Sequence, residues 1–197
     1  MADESFGIDS LIDQSNDDEC ETNVQSDKEE GKTSDDEVNN KRLIISISNV
    51  LSTILETNKK INNYAYIVRT QSKMIFSAKY IPNITIKDYL TRIQFYSRME
   101  KSTLILSLVQ IDHFCKKANL VLTYYNIHRI LFTAILISIK YNEDKYYDNV
   151  FYSRIAGVEL KELKEMEYSF LELSNFNVFV GHKEYEQYQK YLEEFEE

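Results

Sequence analysis

Lys140 closes a run of ten uncharged residues, 130–139, and an acidic, Tyr-rich turn, "NEDKYYDN", follows it. A helix that is apolar on every side belongs in a core, so this ammonium must emerge where the core ends. Two kinds of chemistry suit it there. A cation at a helix C-terminus is favoured by the macrodipole, by about 0.3–1 kcal/mol, and a charge beside exposed aromatic residues suits contact with a partner protein. Other constellations offer less. His113, His128 and His182 have no metal-ligand spacing. The glycines, at 7, 31, 157 and 181, never share a loop, whereas a phosphate cradle needs them close together. Carboxylates are abundant, but the helical pattern puts them on solvated faces or at caps. No Ser or Cys stands on a strand-to-helix elbow. The sequence therefore reads as a non-enzyme with no cofactor and no metal.

The elements that must hold Lys140 follow from apolar periodicity. "LIISISNVLSTILETNKKI" puts Leu43, Ile47, Val50, Leu51, Ile54 and Leu55 on one helical face. Residues 62–82 are less regular and read as a loop with possible helical turns. Thr85 with Asp88 three residues on forms a capping-box pattern, so a helix begins there. Ser102 or Thr103 is expected to cap the next one. The apolar helix spans about 123–141, a short helix about 149–155 ends before Gly157, and "LKELKEMEYSFLEL" stripes Leu160, Leu163, Met166, Phe170 and Leu173. A last helix carries Tyr185, Tyr188, Leu192 and Phe195 on one face. This makes about seven helices. "FNVFV" (176–180) could form a strand but would have none to pair with. The predicted class is all-α: amphipathic helices around one central apolar helix, with helices flanking the bundle at both ends.

Composition agrees. Of 197 residues 43% are hydrophobic, with one proline and four glycines, too few turn formers for sandwiches or barrels. Residues 1–40 hold 14 of the 32 acidic residues and two lysines, a net of −12. That segment reads as a disordered acidic tail, leaving 41–197 as the folded domain with a net charge of +3, a weak footprint for nucleic acid. Ser15 and Ser34, each followed by an acidic residue three positions on, match a pattern acidophilic kinases favour. Cys20 and Cys115 build no disulfide framework. The sequence shows no signal-peptide pattern and no apolar run long enough for a bilayer, which points to an intracellular protein of the nucleus or cytoplasm with no membrane contact.

Four stretches, "IPNITIKDYLTRI" (81–93), "QIDHF" (110–114), "NIHRILFTAILISIKYNEDKYYDNVFYSRIAG" (126–157) and "ELKEMEYSFLELSNFNVFV" (162–180), occur in the order and spacing of a cyclin box. The chain resembles the P/U-type cyclins, the group that includes yeast's phosphate-pathway cyclins. The likeness covers about residues 43–195 and implies a single five-helix box, since only one helix fits after Phe179. It implies a regulatory subunit that binds and activates a cyclin-dependent protein kinase as a heterodimer, serving phosphate signalling or the cell cycle. A rival reading is a cyclin-fold adaptor in a transcription assembly with no kinase partner.

The resemblance also assigns residues. In cyclins a lysine ending the third box helix and a glutamate on the fifth face the kinase; here these are Lys140 and Glu167. The family's apolar interface positions fall on Tyr141, Tyr168, Leu171 and Phe176, and its internal ion pair on Arg92 and Asp112. Both of these charges lie within apolar runs, and two partly buried charges need each other, so a structural pair is expected. Where cyclins commonly follow the aspartate with arginine, this chain has His113. Where mitotic-type cyclins carry a Met-Arg-Ala-Ile-Leu docking patch, it has "TRIQF" (91–95), so docking of that kind is not expected.

Overall fold

The computed structural model describes residues 34–194, with side chains from residue 38; the expectations for Ser15, Cys20 and Phe195 lie outside these. The described residues form eight helices and no strand: α1 (Ser34–Lys59), α2 (Tyr64–Gln71), α3 (Ile86–Ser97), α4 (Lys101–Lys117), α5 (Ile127–Asn142), α6 (Asn149–Ala156), α7 (Leu160–Leu173) and α8 (His182–Glu194). α1 starts at Ser34, so the last residues of the stretch read as acidic tail are helical.

α5 is the axis. Every residue from Ile127 to Ile139 except Arg129 is buried, and the helix packs against α4, α6 and α7. α3 to α7 stand where the five helices of the expected box fall; α1 lies across α3, α4 and α8, and α8 also packs on α4. Phe114 of α4 and Phe170 of α7 stack at 4.2 Å, with Phe76 meeting Phe114 edge-on at 5.2 Å. Rings in these arrangements add about 0.5–1.5 kcal/mol per pair beyond the area they bury. α7 buries Leu163, Met166 and Phe170, while Leu160 is half-buried and Leu173 exposed. Ile54 of α1 is exposed as well.

Helix ends show what local sequence can and cannot specify. Thr85 caps α3, its hydroxyl oxygen accepting from the Asp88 N–H at 3.0 Å. Gly157 ends α6 at φ +72°, in the left-handed region that glycine enters without strain. α4 differs from expectation: its N-cap is Glu100, with Ser102 and Thr103 inside the helix. The capping group comes from a distant part of the chain. Glu143, just past α5, accepts from the Glu100 N–H at 2.8 Å and from the Thr103 hydroxyl, and Asn142 donates to Thr103 at 2.8 Å. A carboxylate at a helix N-terminus complements the macrodipole, and this stitch fixes the end of α5 from which Lys140 departs.

The "Asn-x-His-Arg" start of α5 anchors loops. Asn126 accepts from the Thr123 N–H at 2.7 Å and donates to the Val121 carbonyl at 3.0 Å. His128 Nε2 bonds the Ile84 carbonyl at 3.0 Å, and Arg129 holds the Ile75 carbonyl at 3.0 Å and the Glu162 carboxylate at 2.5 Å. The long connection between α2 and α3 is thereby tied to the central helix.

Candidate functional site

Three helices meet at Lys140. The lysine lies in the last turn of α5, Glu167 sits midway along α7, and Asn149 opens α6. Lys140 Nζ donates to Glu167 Oε1 at 2.5 Å, and Asn149 Nδ2 donates to Oε2 at 2.9 Å. The Glu167 side chain is 16% exposed and that of Lys140 27%. A mostly covered carboxylate must be matched by donors, and here both of its oxygens are. Sequence reasoning misses Asn149; its only sequence signal is the position directly after Asp148, whose carboxylate caps α6 by accepting from the Phe151 N–H at 2.8 Å.

Large side chains stand uncovered on the segments that carry this pair. Tyr141 follows Lys140 and is 51% exposed; Tyr168 follows Glu167 and is 59% exposed. Phe176, 61% exposed, meets Tyr168 edge-on at 6.5 Å, and Leu171, one helical turn beyond Glu167, is half-buried. Phe176 is held at φ +55°, its N–H bonded to the Leu171 carbonyl at 2.7 Å. A bulky residue rarely adopts that backbone conformation, so the turn after α7 presents this ring at a cost. Tyr146 and Tyr147 in the acidic turn are also exposed. Exposed apolar side chains grouped around a desolvated charge mark interaction surfaces.

The expected Arg92–Asp112 pair does not form. Arg92 Nη2 instead donates to the Ile155 carbonyl at 2.6 Å, in the last turn of α6, and its guanidinium lies 5.3 Å from the Tyr89 ring centre. The Tyr89 hydroxyl adds a bond to the Ala156 carbonyl at 3.3 Å. The carbonyls that end a helix lack intrahelical donors and carry partial negative charge, and here they take the place of the carboxylate. Asp112 turns to other partners: Lys116 at 2.6 Å and the Tyr188 hydroxyl of α8 at 2.6 Å. Burial raises its carboxyl pKa, but the bonds from Lys116 and Tyr188 outweigh that and hold it below its ordinary value. Next to it, His113 bonds Glu184 at 2.7 Å, so the aspartate and histidine together dock α8.

The Cys115 thiol is pushed up to about 12 by burial and by Asp112, which keeps it protonated and unreactive at neutral pH. Among the described residues no group of three or more His, Cys, Asp or Glu side chains could hold a metal ion. No described helix is long and apolar enough to cross a membrane.

Known proteins resemble this chain over most of its length. A family model described as Cyclin matches residues 9–178. Cyclin-U2-1 of Arabidopsis thaliana is 33% identical over 161 residues, covering 80% of this chain and 71% of its own. Cyclin-U4-1 of the same plant is 30% identical over 160 residues, 80% of this chain and 79% of its own. PHO85 cyclin-7 of Saccharomyces cerevisiae is 29% identical over 172 residues, 78% of this chain and 60% of its own. With the cyclin model matched over most of its length and U-type relatives aligned across four-fifths of it, this chain belongs to the cyclin family, whose members are regulatory subunits, and within that family to the P/U type.

Proposed function

We propose that this cyclin binds and activates a cyclin-dependent protein kinase through the face built around Lys140 and Glu167. The observation that carries this reading is the ion pair itself, preformed and mostly desolvated, yet flanked by exposed Tyr141, Tyr168 and Phe176. An ammonium has three donors and a carboxylate about four acceptor sites. The described bonds use one donor of Lys140 and two sites of Glu167, so both groups retain capacity for a partner's backbone. Because the pair is already ordered, little conformational entropy is lost when a partner arrives. The kinase would be activated by population shift: a surface that fits the active orientation of its regulatory helix better than the inactive one raises the active fraction by that difference in affinity. The name of the relative PHO85 cyclin-7 supports this reading, because it ties a similar chain to a particular partner.

The test is affinity purification of the tagged full chain from its native cells, with mass spectrometry and a kinase assay on the eluate. A stoichiometric kinase whose recovery and activity disappear with Lys140→Ala plus Glu167→Ala is the expected result. An eluate of transcription components without kinase would move the function to the adaptor reading.

A further inference from the structure

Charge is spread unevenly over the folded domain. Residues 57–87 hold six basic side chains, Lys59, Lys60, Arg69, Lys73, Lys79 and Lys87, and no acidic one. The remainder of 41–197, whose net charge is +3, therefore carries −3. All six are exposed, and among the described residues none lies within ion-pair distance of a carboxylate. The segment is gathered around the start of α5 and the strip before it. Asn58 donates to the Leu122 carbonyl at 3.0 Å, and Lys59 lies 5.7 Å from the Tyr124 ring centre. The Gln71 and Asn126 amides are 3.2 Å apart, and the Ala78 N–H donates to the Tyr125 carbonyl at 2.7 Å. Residues 113–142, which include that strip, have no acidic side chain either. Glu56, just ahead of the segment, is engaged by the Tyr124 hydroxyl. Helix ends explain only part of this. The macrodipole favours Lys59 and Arg69 in the last turns of α1 and α2 but disfavours Lys87 in the first turn of α3. Lys73 and Lys79 belong to no helix. Tyr66 and Tyr80 stand uncovered among these charges, 64% and 72% exposed.

We propose that this face docks an acidic segment of a partner protein, its carboxylates against the lysines and its apolar side chains against the exposed tyrosines. Charge complementarity selects that occupant over larger polyanions. A short acidic segment meets only the local field, which salt confines to about 10 Å. A nucleic acid or an anionic bilayer extends further and meets the rest of a chain whose net charge is −9. A bilayer would also need the apolar side of α2 turned outward, whereas Tyr64, Ile67 and Val68 are half-buried against the domain. Complementary charge gives such a contact its rate and selectivity, and the tyrosines add apolar area. The face is at the opposite end of α5 from Lys140, about 20 Å away at the rise of a helix. It is therefore separate from the proposed kinase face, and its test needs no kinase.

Fluorescence anisotropy of a labelled peptide of glutamates interleaved with leucine and phenylalanine, titrated with the full chain, tests this. Saturable binding is expected, weakening by about tenfold as ionic strength rises from about 0.05 to about 0.3 M, because exposed charges are screened. Lys59→Glu, Lys73→Glu and Lys79→Glu together should weaken it by about tenfold or more. Lys101→Glu, Lys183→Glu and Lys190→Glu change the net charge equally outside the segment, and should leave binding within about twofold. Tyr66→Ser with Tyr80→Ser should cost about threefold at either ionic strength, since apolar contact is not screened. All these side chains are exposed, so melting temperatures should match the parent's, and only variants that match are scored. The proposal is overturned if the peptide does not saturate, or if the Lys59, Lys73 and Lys79 variant or the tyrosine variant binds like the parent. An equal loss in the variant of Lys101, Lys183 and Lys190 overturns it too. Tighter binding of single-stranded oligothymidylate or of phosphatidylserine vesicles than of the peptide would replace the acidic segment with a nucleic acid or a membrane.

Discussion

Two cations stand at helix ends, Lys140 in the last turn of α5 and Arg92 against the last turn of α6, and they are used in opposite ways. Lys140 pairs with a carboxylate at the rim, beside exposed aromatic rings, and keeps donors free. Arg92 gives Nη2 to a backbone carbonyl and lays its guanidinium over a buried tyrosine. A carbonyl partner binds a cation to its own scaffold, because the carbonyl cannot leave its helix. A side-chain partner at a rim forms a dipolar pair that another protein can engage at both poles. The difference separates a candidate interface from a brace without reference to any relative.

The comparison is broken most directly at the rim. Lys140→Ala with Glu167→Ala should weaken kinase binding at least about a hundredfold, in the range of charged hot spots, while the melting temperature changes little. Lys140→Ala alone should be less stable than the double variant, because Glu167 would keep its charge at 16% exposure with only Asn149 to meet it. Thermal melting of the three proteins checks the order. A double variant that binds like the parent would leave Lys140 as a helix-end charge and nothing more.

At the brace the readout is inverted. Arg92→Ala strips a donor from the Ile155 carbonyl and a cation from the Tyr89 ring, at a cost of about 2 kcal/mol. For a domain of this size that lowers the melting temperature by roughly 4–8 °C. Kinase affinity per folded molecule should stay within about twofold. Smaller still are the uncovered rings: Tyr168→Ser or Phe176→Ser should each weaken kinase binding by about tenfold. Stability should hold or rise slightly for Phe176→Gly, which relieves the positive φ. Surface plasmon resonance and melting on the same preparations separate these outcomes.

Much of this contrast is legible in the sequence, and the reason for each miss is physical. Lys140 is visible because a charge after ten uncharged residues breaks the pattern, and Glu167 because the cyclin likeness fixes its place on α7. Thr85 with Asp88 and Gly157 are visible because caps and left-handed stops are made by residues within one turn of each other. The Glu143 cap on α4 is not, since it acts on Glu100 from forty-three positions away. Arg92 is misassigned for a different reason. Its partner is the backbone carbonyl of Ile155, a group every residue carries, so no side-chain pattern could announce it. The pairing rule for buried charges is sound, but a helix end meets it in place of Asp112. Asn126, His128 and Arg129 open one of the stretches that carry the cyclin likeness; the loops they hold become apparent only from the fold.

The smallest effect is the most discriminating. If Arg92 and Asp112 formed one ion pair, Asp112→Asn would strand a half-buried guanidinium and cost nearly as much as Arg92→Ala. In the observed arrangement the substituted amide would still accept a weaker bond from the Tyr188 hydroxyl, and the i,i+4 attraction to exposed Lys116 is lost, the latter about 0.3–0.5 kcal/mol. Its pH dependence has a definite sign. The folded carboxyl titrates below its ordinary value of 3.8, so its contribution is complete above that pH and vanishes as pH falls through the folded value. The parent and Asp112→Asn should therefore differ by a small constant at neutral pH and converge in acid. Combined with Arg92→Ala, the two changes should add to within about 0.5 kcal/mol, as sites without shared partners do. A coupling of about 1 kcal/mol or more would restore the ion pair and make Arg92 a charge partner instead of a helix brace.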